Sequence, residues 1–169
     1  LDVLAGYDPA DPDTRPFASA DFRAVQRESP PASPHFAFVP TPVWNKAEAE
    51  TKAAFEELVT ALGPAVAMVE LSVSFAEAWD TQRTIMATEM AHNLAPVVAR
   101  GKPSEVMQKL LAEGGRTSAV AYLDALDKSS RYAASLAEIF DQYDAIITPA
   151  ARGVAPEGLS ATGDPAFCT

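Results

Sequence analysis

The sequence predicts an α/β protein, part of a mixed or mostly parallel sheet covered by helices. Two observations carry this. Residues 36–74 read as strand, helix, strand, a unit that closes as a right-handed crossover between parallel neighbours. Residues 75–142 are patterned as helices and lead into a third apolar strand, and that alternation builds helix layers on a sheet. The 169 residues fit one domain able to bury a sizeable core.

Four stretches divide the chain: 1–35, 36–74, 75–142 and 143–169. Leu1 to Gly6 has the form of a helix end with its glycine just past the last turn. Tyr7 to Pro34 carries DPADPDTRP and ESPPASP. Proline fixes φ and removes a donor, so an irregular surface excursion is expected, with one short helical turn near Ser19 to Gln26. Phe36 to Val43 (FAFVPTPV) reads as a strand that Pro40 and Pro42 bring to a stop.

Asn45 followed by Glu48 has the pattern of a capping box. Phe55, Leu58, Val59 and Leu62 recur at helical spacing, which predicts a helix over Lys46 to Leu62. Gly63-Pro64 ends it, and Ala65 to Val73 reads as the second strand. Phe75 to Val98 reads as a long helical stretch interrupted by Pro96, followed by Ser104 to Glu113 and by Ser118 to Asp141. The last has Ala119, Tyr122, Leu123, Leu126, Ala133, Leu136, Ile139 and Phe140 as its apolar set. Asp144 to Thr148 (DAIIT) is the third strand, and a loop of small residues, prolines and glycines follows it to Thr169.

The formal net charge is −10, which disfavours nucleic acid and anionic membrane as partners, since both need a basic face. No apolar run approaches the ~18–20 residues of a membrane span. Cys168 is the single cysteine, so no internal disulfide can form, and a reducing cytoplasm fits. The chain starts on Leu1 rather than Met and stops within a loop, so both ends read as cut.

No complete catalytic set is expected from these residues alone. Glu89 and His92 form E-x-x-H on a helix, the spacing used by di-iron carboxylate bundles. Such sites need further carboxylates and a second pair, and the other histidine, His35, lies in the Pro-rich excursion. A non-catalytic helical binding or metal module on Glu89 and His92 is the alternative reading. The G-x-S-x-G elbow and both glycine-rich nucleotide fingerprints are absent. Ser129-Ser130 reads as a solvated helix face, and Cys168 has no visible base.

An ordered set of strings resembles the amidase signature family. LDVLAGYDPADPDT is similar to the helix end and acidic turn that follow its catalytic core. Phe38 to Trp44 (FVPTPVW) resembles a strand, and Ile85-Met-Ala-Thr-Glu89 a helical stretch, of the same family. Tyr143 to Pro149, Gly153 to Pro156 and Thr162 to Pro165 resemble its Y-D-x-x-x-T-P, A-P and T-G-D-P run.

The resemblance implies an incomplete amidase signature fold and hydrolysis of carboxylic amides to the acid and ammonia or an amine. It implies a serine nucleophile, a second serine on a cis peptide and a lysine base, all before Leu1. None of Lys46, Lys52, Lys102, Lys109 or Lys128 stands in that context, so no catalytic residue is carried over. Implied substrate-binding residues are Thr148, Pro149, Ala150, Thr162, Gly163 and Asp164. Their plain alternative is a Pro/Gly loop that packs on the rest of the core. The implied partners are a small-molecule amide and the N-terminal part of the same protein, with no cofactor and no metal. A subunit of a tRNA-dependent amidotransferase is a further alternative. The basic run and Gly-Thr pair of that subclass have no counterpart at Glu113-Gly-Gly-Arg-Thr117.

Overall fold

The computed structural model describes residues 5–18, 21–29, 31–160 and 163–168. It divides into two compact units, Leu1–Pro34 and His35–Thr169.

In the first unit the expected irregular path is organised by aspartates. Asp8 Oδ1 accepts the Ala10 N–H, Asp11 Oδ1 accepts the Asp13 N–H, and the Thr14 hydroxyl donates back to the Asp8 carbonyl at 2.8 Å. Short side-chain acceptors replace the missing backbone ladder in this way. The expected helical turn is α1 (Phe22–Val25), capped by Asp21 through the Ala24 N–H. Ser19, Ala20 and most of the helix end expected at Leu1 to Gly6 lie outside the described residues.

The second unit holds a three-stranded sheet. Its strands are β1 (Phe36–Phe38), β2 (Val66–Met68) and β3 (Ala145–Ile147), in the order β2-β1-β3 with both pairings parallel. Phe36 is in register with Val66 on one side and with Ala145 on the other. β1 is therefore central, and Ala37, Phe38 and Val39 are all buried. A parallel strand covered on both faces is expected to be uniformly apolar, as this one is.

The strands are shorter than their apolar runs. The ladder persists one residue past β1, where the Val39 N–H donates to the Ile147 carbonyl at 3.0 Å, and one past β2, where Val69 donates to Phe38 at 2.9 Å. Pro40 and Pro42 then remove the donors needed to continue. Ala65 and Val73, expected at the ends of the second strand, instead belong to 3₁₀ turns, Gly63–Ala65 and Val73–Glu77. At the other end of the sheet, the Asp144 carboxylate accepts the His35 N–H at 2.7 Å, and the Asp144 N–H donates to the His35 carbonyl at 2.8 Å. That exchange sets the alignment of β1 and β3.

α2 (Ala49–Leu62) connects β1 to β2. It starts later than the expected capping box. Asn45 lies in a 3₁₀ turn, Trp44–Lys46, and Glu48 is the residue before the first helical turn, with no side-chain cap of its own. The cause is tertiary: the Glu48 N–H donates to the Arg152 carbonyl at 2.7 Å, and the Thr51 hydroxyl donates to the same oxygen at 3.0 Å. The helix packs on the sheet through Phe55, whose ring stacks on Phe38 at 5.8 Å and meets Trp44 edge-on.

The remaining helices are α3 (Ala78–Asn93), α4 (Ala95–Val98), α5 (Glu105–Gly114) and α6 (Ala119–Phe140). The expected long helix over Phe75 to Val98 breaks at Leu94, because Pro96 has no N–H and its ring conflicts with the carbonyl four residues back. Ser104 caps α5 and Ser118 caps α6 through the N–H groups of Met107 and Ala121. α3 lies between α5 and α6. Ala125 of α6 is buried, whereas Leu123 and Phe140, expected on its apolar face, are more than half exposed.

Candidate functional site

The chain after β3 carries the implied site. Thr148 follows the last strand residue at the carboxyl end of the sheet, the end at which open α/β sheets bind ligands. Pro149 is fully buried, while Ala150 is exposed. The loop then runs along α2. The Arg152 guanidinium lies 3.6 Å from Glu48 Oε1 and 4.0 Å from Asp164 Oδ2, and so ties the start of α2 to the segment after residue 162. Gly153 fits tightly here, since a Cβ would overlap the Glu48 carboxylate.

Asp164 acts locally. Its Oδ1 accepts the Ala166 N–H at 3.0 Å and so caps the 3₁₀ turn Pro165–Phe167. Gly163 precedes it at φ 94°, a left-handed conformation in which a side chain would be strained. The turn drives Ala166 and Phe167 into the interior, where both are buried. Cys168 Sγ then sits 3.6 Å from the Ala150 carbonyl, which closes the loop on itself.

A cavity of about 280 Å³ results, walled by Val39, Thr41, Phe75, Trp79, Thr148 and Phe167 among others. Of the six implied residues, Thr148 lines it directly. Gly163 and Asp164 shape the turn that supplies Phe167, Pro149 is packed beneath, and Ala150 holds the loop closure. Thr162 lies outside the described residues. Thr41, Phe75, Trp79 and Phe167 are wall residues that sequence reasoning missed. The signal available for Phe167 was an aromatic placed directly after the Thr-Gly-Asp-Pro string.

Two cations lie beside the wall. Lys46 Nζ is 5.7 Å and Arg83 Cζ 5.4 Å from the centroid of the Trp79 ring, so the negative ring face meets positive charge. Arg83 is held in turn by Glu113, with Nε to Oε1 at 2.7 Å and Nη2 to Oε2 at 2.6 Å. The hydrogen bonds from Arg83 hold the Glu113 carboxyl below its ordinary range, and those to Glu113 raise the guanidinium. The buried Thr41 Oγ1 has no hydrogen-bond partner among the described residues.

Other candidate chemistry is occupied elsewhere. Glu89 Oε1 accepts the Tyr122 hydroxyl at 2.9 Å, a bond that raises the Tyr122 pKa, and His92 is exposed. Among the described residues no three His, Cys, Asp or Glu side chains gather as metal ligands. Ser129 and Ser130 are exposed on α6, and the Ser130 hydroxyl donates to the Leu126 carbonyl of its own helix. Ser72 Oγ and Ser74 Oγ lie 2.6 Å apart, with no lysine bonded to either among the described residues. Lys128 is paired with Glu77. The arrangement can therefore enclose an apolar group, and it pairs no nucleophile with a base among the described residues.

Comparison with known proteins bears on the same residues. No curated protein and no solved structure matches the chain. The model of one family, described as amidase, matches residues 1–165, which include β3, the loop after it and Asp164 and end before Ala166 and Phe167. With nearly the whole chain matched in one run, the protein belongs to the amidase family, whose chemistry is the hydrolysis of amides.

Proposed function

We propose that this chain forms the far wall and helical cover of an enzyme that hydrolyses carboxylic amides through a serine nucleophile, with nucleophile and base contributed by residues encoded before Leu1. The serine oxygen attacks the amide carbon while the base takes its proton. The proton passes to the departing nitrogen, which leaves as ammonia or amine, and water then hydrolyses the acyl ester. Thr148, Pro149, Ala150, Gly163 and Asp164 form the substrate-side wall, directly or by holding the loop, and Thr162 is assigned to substrate binding by the family resemblance alone. No cofactor is needed for this sequence of steps. The single cysteine suits a reducing cytoplasm, and among the described residues no helix is long and apolar enough to cross a membrane.

The observation that carries the reading is the cavity at the carboxyl end of β1 and β3, walled by Thr148 and by the turn that Asp164 caps, within a chain matched to the amidase family. The absence of a serine–lysine contact among the described residues favours placing the nucleophile elsewhere.

The test compares this 169-residue chain with the same chain preceded by the residues its gene encodes before Leu1. Ammonia release from simple amides should appear only in the longer protein, and a fluorophosphonate label should map to a serine before Leu1. Turnover by the shorter chain, or label on one of its own serines, overturns the placement of the nucleophile. An amide panel left intact by both proteins overturns the amidase reading.

A further inference from the structure

We infer that the cavity beside Thr148 accepts an uncharged apolar group about the size of one aromatic ring, and that Trp79 and Phe167 set that size. That the group arrives as part of an amide rests on the amidase reading; the apolar, ring-sized occupant rests on the cavity alone.

The wall is uncharged. Among the residues that line the cavity, only Thr41, Thr148 and the indole of Trp79 carry a polar side-chain atom. The rest of the surface comes from Val39, Val43, Leu71, Leu136, Ile146 and the two phenylalanines, Phe75 and Phe167. A carboxylate or ammonium entering there would lose its hydration with no charged partner in the wall. Of the two cations beside the wall, neither lines the cavity: both lie over the Trp79 ring, and Arg83 is engaged by both Glu113 oxygens.

The volume suits one ring. A dry apolar cavity of roughly 150 Å³ holds a benzene ring, and typical ligand pockets span roughly 300–1,000 Å³. At about 280 Å³ this cavity has room for one ring with its carboxamide.

The aromatic walls are also held before any ligand arrives. Lys46 and Arg83 lie over the Trp79 ring, Phe75 packs on Tyr132 at 4.9 Å, and Phe167 is set by the turn that Asp164 caps. A preformed apolar wall binds without first ordering its own side chains.

Ala78 offers a way to fill the space. It lines the cavity at the start of α3, is only half-buried, and tolerates leucine as a helix former. Phe167→Ala changes the size in the other direction.

The experiment uses the full-length gene product and measures both methyl NMR shifts and turnover with phenylacetamide, acetamide and succinamate, plus toluene as a probe without an amide. Phenylacetamide should be favoured over acetamide by about 10- to 100-fold in kcat/KM, the range that apolar pockets give for added hydrocarbon, and over succinamate by at least as much. Toluene should shift the methyl signals of Val39, Leu71 and Ile146. Ala78→Leu should lower the phenylacetamide value about tenfold, with the dispersion of the methyl spectrum showing that the fold is kept. Phe167→Ala should move the preference toward larger aryl amides. Equal kcat/KM for the three amides, or tight succinamate binding, overturns the inference while leaving the amidase reading intact. Toluene binding at these methyls with every amide left uncleaved upholds the apolar cavity and overturns the amidase reading. An Ala78→Leu protein that folds and binds phenylacetamide unchanged overturns the cavity as the site.

Discussion

Arg152 meets Glu48 twice. Its carbonyl oxygen accepts the Glu48 N–H at 2.7 Å, and its guanidinium lies 3.6 Å from Glu48 Oε1. The backbone contact sets where α2 begins. The side-chain contact, extended to Asp164 at 4.0 Å, keeps the loop after β3 against that helix.

Arg152→Ala should therefore loosen the loop more than it destabilises the fold. Both partners are about half exposed, and pairs of this kind contribute about 0.2–1 kcal/mol. Urea unfolding should shift by no more than that. Hydrogen exchange should quicken at the Ala166 N–H, which depends on Asp164, and stay slow in β1. Uniform loss of protection across the sheet would contradict this.

Gly114 and Gly115 make a sharper contrast. A Cβ at Gly114 would run into the backbone of Ala87 and Thr88, whereas at Gly115 the nearest atom, the Leu111 carbonyl oxygen, is 3.3 Å away. The first obstacle is backbone of α3 and cannot rotate aside. Gly114→Ala should cost about 1–3 kcal/mol or more by overpacking, and Gly115→Ala should stay within about 0.5 kcal/mol. Thermal melts of the two variants check the order.

The bond between Arg83 and Glu113 joins α3 to α5 and should be visible in acid. Glu113 has its folded pKa lowered, first by the hydrogen bonds from Arg83. Its contribution is thus complete above the ordinary carboxylate value near 4.5 and is lost as pH falls through the lower folded value. Glu77 behaves in the same sense through Lys128. Glu113→Gln should flatten the acid limb of a stability–pH curve and leave its slope above pH ~5 unchanged. An acid limb identical to the parent's would show that the pair is not coupled to folding.

Phe38 is the position most exposed to cavity formation. It is 4% exposed, stacks on Phe55, and lies edge-on to Trp44 at 5.6 Å. Phe38→Ala should cost about 3–5 kcal/mol. Val73→Ser, at a side chain 95% exposed, should stay within about 0.5 kcal/mol. Urea midpoints measured side by side decide it.

The sequence by itself determined the three apolar strands, the helices between them, the break before Pro96 and the family. Each of these rests on local patterns: β-branched and aromatic runs, helical spacing, proline chemistry and ordered short strings. Parallel pairing of β1 with β2 was implied by the crossover through α2, whose apolar spacing was legible, whereas the place of β3 on the other side of β1 came from the structure. What only the tertiary structure decided depends on residues far apart in the chain. The start of α2 moved from the Asn45 box to Ala49 because the Arg152 carbonyl takes the Glu48 N–H. Leu123 and Phe140 of α6 shared the apolar pattern yet remain exposed, since periodicity marks a face and not what covers it. The cavity wall joins Thr41, Trp79, Thr148 and Phe167 from four separate segments, so no spacing in the sequence could announce it. Local patterns report a backbone's own preference, whereas a cavity is set by which side chains the fold brings face to face.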